Sequence, residues 1–270
     1  MQDKTPRKPI AEYEATMVLQ QKQPPPPPRA DSPISSQFIV ELGQDPNVLV
    51  VAFTGFNGRL SMSTFDFMRS AELLNYNRIL LCDTSRTCYL NGIPPVAADV
   101  DALLALLRQN IDRLAPKFTI FVGSSGGSHA AILFGYLLGA DFVHAFSPHT
   151  NIDPTHFRAV EGPNVEVFRD ALARIAAVPA RARAYFDLRN ILRESNGKTK
   201  FNLHVCAQSA SDMARAVRLE GLPDVTLHRH ACDHHRVGVW LAKERRLLSI
   251  LKLENQSGFA AAAGSRPTTV

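Results

Sequence analysis

The sequence lacks any long apolar run and any closely paired cysteines. Its longest apolar stretch, Ala130 to Ala140, ends at Asp141 and falls short of the roughly 18 apolar residues that a membrane-spanning helix needs. The cysteines form no CxxC pair and lie mostly in or beside apolar runs: Cys82, Cys88, Cys206 and Cys232. We therefore expect no membrane span, and we expect packed, reduced thiols without disulfides.

The chain also lacks the features of a secreted or nucleic-acid-binding protein. Its first residues, MQDKTPRKPIAEYEA, contain no apolar core, so no secretory signal is expected and the predicted location is cytoplasmic. The formal net charge is +5, but the basic segments, 1–30 and 229–252, are not interleaved with aromatic residues. Such charge is typical of a solvated surface, so we expect no nucleic acid partner.

Nucleotide-binding motifs are missing as well. The small-residue stretch GSSGG at 123–127 has no following lysine in the arrangement GxxxxGK[ST], and GxGxxG cannot be laid on residues 123–128. These absences argue against a phosphate cradle and a dinucleotide site. We expect no cofactor.

Proline, by contrast, is concentrated near the start of the chain. Five consecutive prolines, 24–28, favour an extended polyproline II segment. We interpret residues 1–36 as a disordered proline-rich tail that acts as a spacer, with docking on a proline-reading partner protein as the alternative. Residues 37–254 are predicted to form one folded domain, and residues 255–270, which lack apolar periodicity, a flexible C-terminal tail.

Within that domain, short β-favouring runs alternate with helical patterns. This order predicts an α/β fold, with a mainly parallel sheet of about seven strands and helices on both faces. The turn GQDPN joins the first two strands, which are candidates for an antiparallel hairpin at the edge of the sheet. The predicted strands are Phe38–Leu42, Val48–Thr54, Arg78–Asp83, Phe118–Val122, Phe142–Phe146, Phe201–Ala207 and Val225–His230, and the predicted helices are 64–74, 97–114, 127–138, 212–219 and 237–252.

Residues 149–200 break this rhythm, because they contain no β-favouring run. Their pattern predicts helices interrupted at Pro179, and an excursion of this length between two strands is typical of a helical lid or cap. The segment also carries seven arginines, which suit either an anionic substrate or, more commonly, a solvent-facing helix surface: Arg158, Arg169, Arg174, Arg181, Arg183, Arg189 and Arg193.

The fourth predicted strand runs directly into GSSGG. Aligned with the pattern GxSxG, this stretch places Ser125 between Gly123 and Gly127. A nucleophile on a tight strand-to-helix turn needs small neighbours two residues away on each side, because side chains there would collide with the adjoining strand and helix. The plainer alternative is a Gly-rich corner that lets the next helix pack closely. With a strand before it and a helix after it, the motif resembles the nucleophile elbow of the α/β-hydrolase superfamily. Within that superfamily it resembles the serine esterases and acyl-hydrolases.

The resemblance implies a catalytic triad in the order serine, acid, histidine, on loops at the ends of strands. Asp212 follows the sixth predicted strand and His235 follows the seventh. Ser125 is then the nucleophile, His235 the general base and Asp212 the acid that orients it. His234 is an alternative base and Asp153 an alternative acid, and helix capping is the structural alternative for Asp212.

An oxyanion hole is implied as well. In this superfamily, the residue after the nucleophile and a residue of an early strand's loop supply the backbone N–H donors. Gly126 is the first, and Phe56 or Gly55, within FTGFNG, is the second. An ordinary glycine-containing turn is the competing interpretation of FTGFNG.

The segment HRHACDHH at 228–235 offers a metal-binding alternative, since His228 and His230 share a strand face. It resembles the HxHxDH motif of metallo-β-lactamase-fold hydrolases but has one residue too many before Asp233 and lies late in the chain. We therefore favour a site without metal.

Together these features predict a serine hydrolase that cleaves an ester, thioester or amide bond of a small-molecule or acyl substrate through an acyl-enzyme. Acyl transfer on the same triad, and a catalytically silent α/β-hydrolase fold that serves as a binding protein, are the alternatives.

Overall fold

The structure, a computed structural model, describes residues 37–194 and 196–251, apart from the side chain of Pro163. The predicted tails, 1–36 and 255–270, lie outside the described residues. No helix in the described part of the chain is long and apolar enough to cross a membrane.

Seven strands form one sheet in the order β1-β3-β2-β4-β5-β6-β7. Only β1 is antiparallel to its neighbour; the other pairs are parallel. The parallel strands place their carboxyl ends along one edge of the sheet, where the loops that carry the predicted site residues begin. The strands are β1 Phe38–Glu41, β2 Asp45–Phe53, β3 Tyr76–Leu81, β4 Phe118–Ser124, β5 Phe142–Phe146, β6 Lys200–Cys206 and β7 Val225–His230.

The predicted hairpin of the first two strands is wrong. β1 pairs with β3, whereas β2 lies between β3 and β4 near the middle of the sheet. The physical reason is the apolar run Val48 to Phe53, every residue of which is buried. A strand that is apolar on both faces requires a covered, central position.

Helices cover both faces of the sheet, as the alternating pattern predicts. On one face, α2 and α3 pack with Leu49, Val51 and Phe53 of β2. On the other face, α1, α8 and α9 pack with the alternate β2 residues, such as Val50 and Ala52. The helices are α1 Thr64–Ser70, α2 Val100–Leu114, α3 Gly126–Leu138, α4 Pro154–Glu161, α5 Arg169–Ala176, α6 Leu188–Ile191, α7 Ala210–Ala216, α8 Val237–Lys243 and α9 Leu247–Leu251.

Several helix bounds differ from their predicted positions for local reasons. The helix predicted to begin at 97 begins at Val100, because the carboxylate of Asp99 caps it by accepting the Ala102 N–H at 2.8 Å. The long helix predicted over 237–252 is divided into α8 and α9, where Arg245 adopts a positive φ of 54°. A left-handed residue ends an α-helix, so the second part forms separately.

The segment 149–200 is helical, and it packs on the body of the domain. It contains α4, α5, α6 and two 3-10 helices, Gly162–Phe168 and Ala180–Tyr185, with Pro179 at the start of the second. Several of its apolar side chains join the buried core, including Ile152, Ile175 and Leu188.

The cysteines correct the expectation of four reduced thiols. Cys206 and Cys232 form a disulfide with a Cα–Cα distance of 4.7 Å, whereas Cys82 and Cys88 are free and buried. The two bonded cysteines are 26 residues apart. They meet because β6 and β7 pair in register, with Cys206 opposite His230, and sequence spacing alone contains no signal of that register.

Three histidines form a buried ladder across adjacent strands. His204 on β6 lies 3.2 Å from His144 on β5 and 3.2 Å from His230 on β7, ring nitrogen to ring nitrogen. His228 stacks on His204, with ring centroids 4.7 Å apart, and its Nε2 donates to Asn202 Oδ1. The two strand histidines of the metal-binding alternative therefore have other partners: His230 bonds to His204, and His228 bonds to the side-chain amide of Asn202. Among the described residues, no group of three or more His, Cys, Asp or Glu side chains is arranged to hold a metal ion.

Burial keeps two histidines of this ladder, His204 and His230, neutral. Removal from water lowers the pKa of His204 well below its usual 6.5, and the neighbouring imidazoles add to that effect. Burial likewise lowers the pKa of His230 to about 4. In the unfolded chain these rings titrate near 6.5, so below that pH the unfolded state binds more protons than the folded state does.

We therefore expect the free energy of unfolding to be highest above pH 6.5 and to decrease as the pH falls from 6.5 toward 4. Urea unfolding followed by circular dichroism at a series of pH values measures it. A His230→Gln variant should show a shallower decrease, and His234→Gln, at an exposed histidine, should keep the wild-type slope. A stability independent of pH in this window would contradict the interpretation.

Candidate active site

Ser125 lies on a sharp turn between β4 and α3. Its backbone has φ 55° and ψ −121°, a left-handed conformation that residues with a side chain rarely adopt. A Cβ on Gly123 would lie 2.3 Å from the Gly127 carbonyl oxygen, and one on Gly127 would lie 2.2 Å from the Phe53 carbonyl oxygen. The small residues on both sides are therefore required by backbone contacts, as the GxSxG interpretation predicts.

The structure brings Ser125, His235 and Asp212 together. Ser125 Oγ lies 2.9 Å from His235 Nε2, and His235 Nδ1 lies 2.6 Å from Asp212 Oδ1. The Asp212 side chain is fully buried, whereas about a third of the His235 side chain is exposed. Because the carboxylate can only accept, His235 Nδ1 carries a proton and its Nε2 is free to accept the serine proton.

The alternative site residues lie elsewhere. Asp153 caps α4 by accepting the N–H groups of Thr155 and His156. His234 is exposed, and its Nδ1 accepts the N–H of Arg236. Asp212 is not a helix cap, because α7 begins two residues earlier, at Ala210.

A buried ion-pair chain continues from Asp212. Arg215, one turn further along α7, donates to Asp212 Oδ1 at 2.9 Å and pairs with Glu161 at the end of α4. Burial lowers the pKa of Arg215 to about 10, so its guanidinium stays charged at neutral pH. The sequence contains a partial signal for Arg215, namely its i, i+3 spacing from Asp212 on a helix, but none for Glu161.

A second histidine contacts Ser125, and the sequence interpretation missed it. His149, in the loop after β5, places Nε2 3.1 Å from Ser125 Oγ and is fully buried. Its ring stacks on Phe157, with centroids 4.9 Å apart, and also contacts Phe56 and Phe168. Burial, reinforced by the charge of Arg215, lowers its pKa well below 6.5, so the ring is neutral.

The proton on His149 can be located by elimination. Ser125 Oγ has one hydrogen, and His235 Nε2 is positioned to accept it. His149 Nε2 must then carry its own hydrogen and donate it to Oγ. The other ring nitrogen, Nδ1, has no hydrogen-bond partner among the described residues. A buried histidine after a strand is not a recognisable motif, which explains why sequence reasoning did not find it.

Two backbone N–H groups near Ser125 donate no hydrogen bond within the described part of the chain. Gly126 is the first residue of α3, where a helix leaves its N–H unpaired. In the FTGFNG turn, the Gly55 N–H donates to Arg59 O at 2.9 Å and is thereby unavailable. The Phe56 ring lies so close to Gly126 that a Cβ there would be 2.6 Å from it. Of the two alternatives for the second donor, this leaves the Phe56 N–H.

A cavity of about 290 Å³ opens beside Ser125. Phe56, Val167, Phe168 and Ala171 give it an apolar wall, and the last three of these belong to the segment 149–200. A larger depression of about 470 Å³ lies around Asp153 and Asp187 and includes no member of the triad, so we assign the site to the smaller cavity. Its full lining is Gly55, Phe56, Asn57, Ser61, Arg86, Ser124, Ser125, Val167, Phe168, Ala171, His235 and Arg236.

Solved structures share this architecture. A proposed esterase from Staphylococcus aureus aligns over 92% of this chain and 91% of its own, with a TM-score of 0.56 and 10% identity. MenH from S. aureus aligns over 82% and 100%, with a TM-score of 0.52 and 15% identity. An inhibited esterase B from Lactobacillus rhamnosis aligns over 87% and 90%, with a TM-score of 0.54 and 12% identity. The chain has the α/β-hydrolase fold.

These similarities concern the α/β-hydrolase fold alone, because the identities are low. No protein-family model matches the sequence, and no curated protein matches it. The chemistry of this chain must therefore be inferred from the geometry around Ser125.

Glycine-to-alanine substitutions test how closely the backbone packs at the turn that carries Ser125. Gly127→Ala should lower the free energy of unfolding by about 3 kcal/mol or more, because the new methyl group meets backbone atoms that cannot move aside. Gly221→Ala is the matched control: its φ is +78° and no atom lies within 4 Å of the added Cβ, so only backbone strain of about 1 to 2 kcal/mol is expected. Urea unfolding measures both, and equal losses would contradict the close contact.

Proposed function

We propose that the protein is a serine hydrolase that cleaves an ester or thioester bond through an acyl-enzyme. The observation that carries this proposal is the continuous hydrogen-bonded chain from Asp212 through His235 to Ser125 Oγ, on a strained turn at the floor of a cavity. Nucleophile, base and orienting acid stand in the geometry that nucleophilic catalysis requires.

In the proposed reaction, Ser125 Oγ attacks the carbonyl carbon as His235 Nε2 takes the hydroxyl proton. The carbonyl electron pair moves onto oxygen, which the N–H groups of Gly126 and Phe56 stabilise. When the intermediate collapses, His235 gives the proton to the leaving alcohol or thiol, and the serine ester remains. Water then attacks the serine ester through the same steps, which releases the carboxylic acid product and restores Ser125.

Asp212 has two tasks in this cycle. Its carboxylate holds His235 in the tautomer that leaves Nε2 free, and its charge stabilises the imidazolium that forms. Arg215, which pairs with Asp212, is positively charged, and Glu161, which pairs with Arg215, is negatively charged. The net charge of Asp212, Arg215 and Glu161 is therefore −1, which favours a transient cation on His235.

His149 adds a further element to the proposal. By donating Nε2–H to Ser125 Oγ, it directs the serine hydrogen toward His235, because one lone pair of the oxygen is already occupied. His149 is thus a positioning residue for the nucleophile, and its neutral state is required for the role that we assign to it.

The names of the neighbouring structures agree with this reaction class, since one of those described above is an esterase and another is a proposed esterase. Acyl transfer uses the same groups and differs only in the acceptor that enters, so adding competing alcohols or amines and analysing the products separates the two outcomes. Cleavage of amides, a cytoplasmic location, a partner for the proline-rich tail and a lid role for residues 149–200 stay predictions.

A fluorophosphonate probe tests the nucleophile directly. We expect the wild-type protein to be labelled at Ser125 and the Ser125→Ala variant to remain unlabelled, because no other serine contacts His235 within the described part of the chain. Ser124→Ala, which changes the neighbouring serine, should still be labelled. Mass spectrometry of the modified peptide identifies the site.

Equal labelling of the wild type and Ser125→Ala, or no labelling of the folded wild type, would reject the serine-hydrolase proposal. In the second case a catalytically silent binding protein becomes the better interpretation.

Replacing His149 tests its positioning role. His149→Phe keeps an aromatic ring among Phe56, Phe157 and Phe168 but removes the donor. We expect kcat for a p-nitrophenyl ester to fall about tenfold with little change in KM, since one hydrogen bond to the nucleophile is lost. His149→Gln, which retains an N–H donor, should recover part of the loss. Equal kcat values for the wild type and His149→Phe, at equal thermal stability, would exclude the role.

A further inference from the structure

The described residues that line the cavity beside Ser125 include two arginines. Among them Arg86 and Arg236 are charged, and none is an Asp or Glu. The imidazole of His235, which also lines the cavity, is bonded to Asp212 and Ser125. A cavity lined by positive charge without a counter-charge attracts anions and raises their local concentration.

Arg86 is held in place by an organised loop. The buried carboxylate of Asp83 accepts backbone N–H groups from four loop residues, Ser85, Arg86, Thr87 and Tyr89, at 2.8 to 3.0 Å. Arg86 itself has a φ of +57°, a conformation that costs an ordinary residue on the order of 1 kcal/mol. The loop therefore maintains a strained backbone at the position that brings this arginine to the cavity.

Arg236 is fixed in a different way. Its Nε and Nη2 donate to the Ser61 carbonyl oxygen at 3.1 and 3.0 Å. This contact orients the guanidinium and leaves its Nη1 for another acceptor. Neither Arg236 nor Arg86 forms an ion pair with any residue that the structure describes, although both are exposed to solvent at the cavity.

The seven arginines of segment 149–200 behave differently. All are exposed, and none lines this cavity. Arg181, for example, pairs with Asp99 and Asp101, and Arg169 pairs with Glu166. The earlier suggestion that this segment supplies arginines to an anionic substrate therefore does not apply to the cavity at Ser125.

We propose that the substrate is an ester or thioester that carries a negatively charged group, a carboxylate or a phosphate, bound between Arg86 and Arg236. Its apolar part lies against Phe56, Val167 and Phe168. Guanidinium groups suit these anions because their N–H donors match two acceptor oxygens. The cavity, about 290 Å³, is at the small end of ligand pockets and fits a small acid derivative. The inference rests on the proposed hydrolase function.

Matched ester pairs test the preference for charge. Mono-p-nitrophenyl adipate and its methyl ester differ in charge on the acyl arm. A second set varies the leaving group. In 4-acetoxybenzoate it carries a carboxylate, in the methyl ester of that compound it is neutral, and in 4-acetoxyphenyl phosphate it carries a phosphate. We expect kcat/KM for at least one charged ester to exceed that of its neutral partner about tenfold. Added salt should reduce the ratio, since screening weakens exposed charges.

Arginine variants test whether the two arginines cause the charged-to-neutral ratio of kcat/KM. Arg86→Gln and Arg236→Gln should each bring the charged-to-neutral ratio toward one, and the double variant should remove the preference. Arg174→Gln, at an exposed arginine outside the cavity lining, is the control with the same loss of charge and should keep the wild-type ratio. A ratio of one or less in the wild type for every pair, or an unchanged ratio in the double variant, would overturn the proposal.

A binding measurement separates this proposal from the catalytic one. Calorimetric titration of Ser125→Ala with adipate, phenyl phosphate and dimethyl adipate needs no turnover. Binding of an anion that weakens in the double arginine variant supports the anion subsite even if no ester is hydrolysed. Hydrolysis of neutral esters with no anion binding by Ser125→Ala would sink the anion proposal and leave the hydrolase function standing.

Discussion

The buried carboxylate of Asp212 is the constraint around which the site is built. An unpaired charge with no access to water is strongly destabilising, and Asp212 is fully buried. Its Oδ1 therefore accepts hydrogen bonds from both His235 and Arg215. The buried arginine needs a counter-charge in turn, and Glu161 supplies it from α4. One buried charge thus joins the loops after β6 and β7 to the helical segment that borders the cavity.

A covalent link reinforces the same region. Cys206 ends β6 and Cys232 follows β7, so their disulfide joins the two strands just before the segments that carry Asp212 and His235. The hydrogen bond between His204 on β6 and His230 on β7 joins the same two strands, and a second bond from His204 extends to His144 on β5. Side-chain bonds therefore supplement the backbone bonds beside the segments that hold Asp212 and His235.

The sequence predicted the sheet and its covering helices because these depend on local pattern, such as apolar runs and the turns between them. The resemblance to the α/β-hydrolase superfamily implied Asp212 and His235, which lie with Ser125 in the structure. The sequence did not predict the pairing of β1 with β3, the disulfide, His149 or Glu161. Each of these depends on which strands become neighbours or on where a distant helix packs, for instance Glu161 on α4 against Arg215 on α7. Such contacts arise only in the folded chain and carry no spacing rule.

At the turn that carries Ser125, the stability of the fold and the presence of a hydroxyl group make opposite demands on the residue. A φ of 55° at a serine raises the energy of the folded state, and glycine would occupy the turn with less strain. The most stable version of this sequence and the version able to carry out the proposed reaction are therefore different at this position. A selection for thermal tolerance alone would favour losing the hydroxyl group, so stability screens of variants at this turn should be paired with a functional readout.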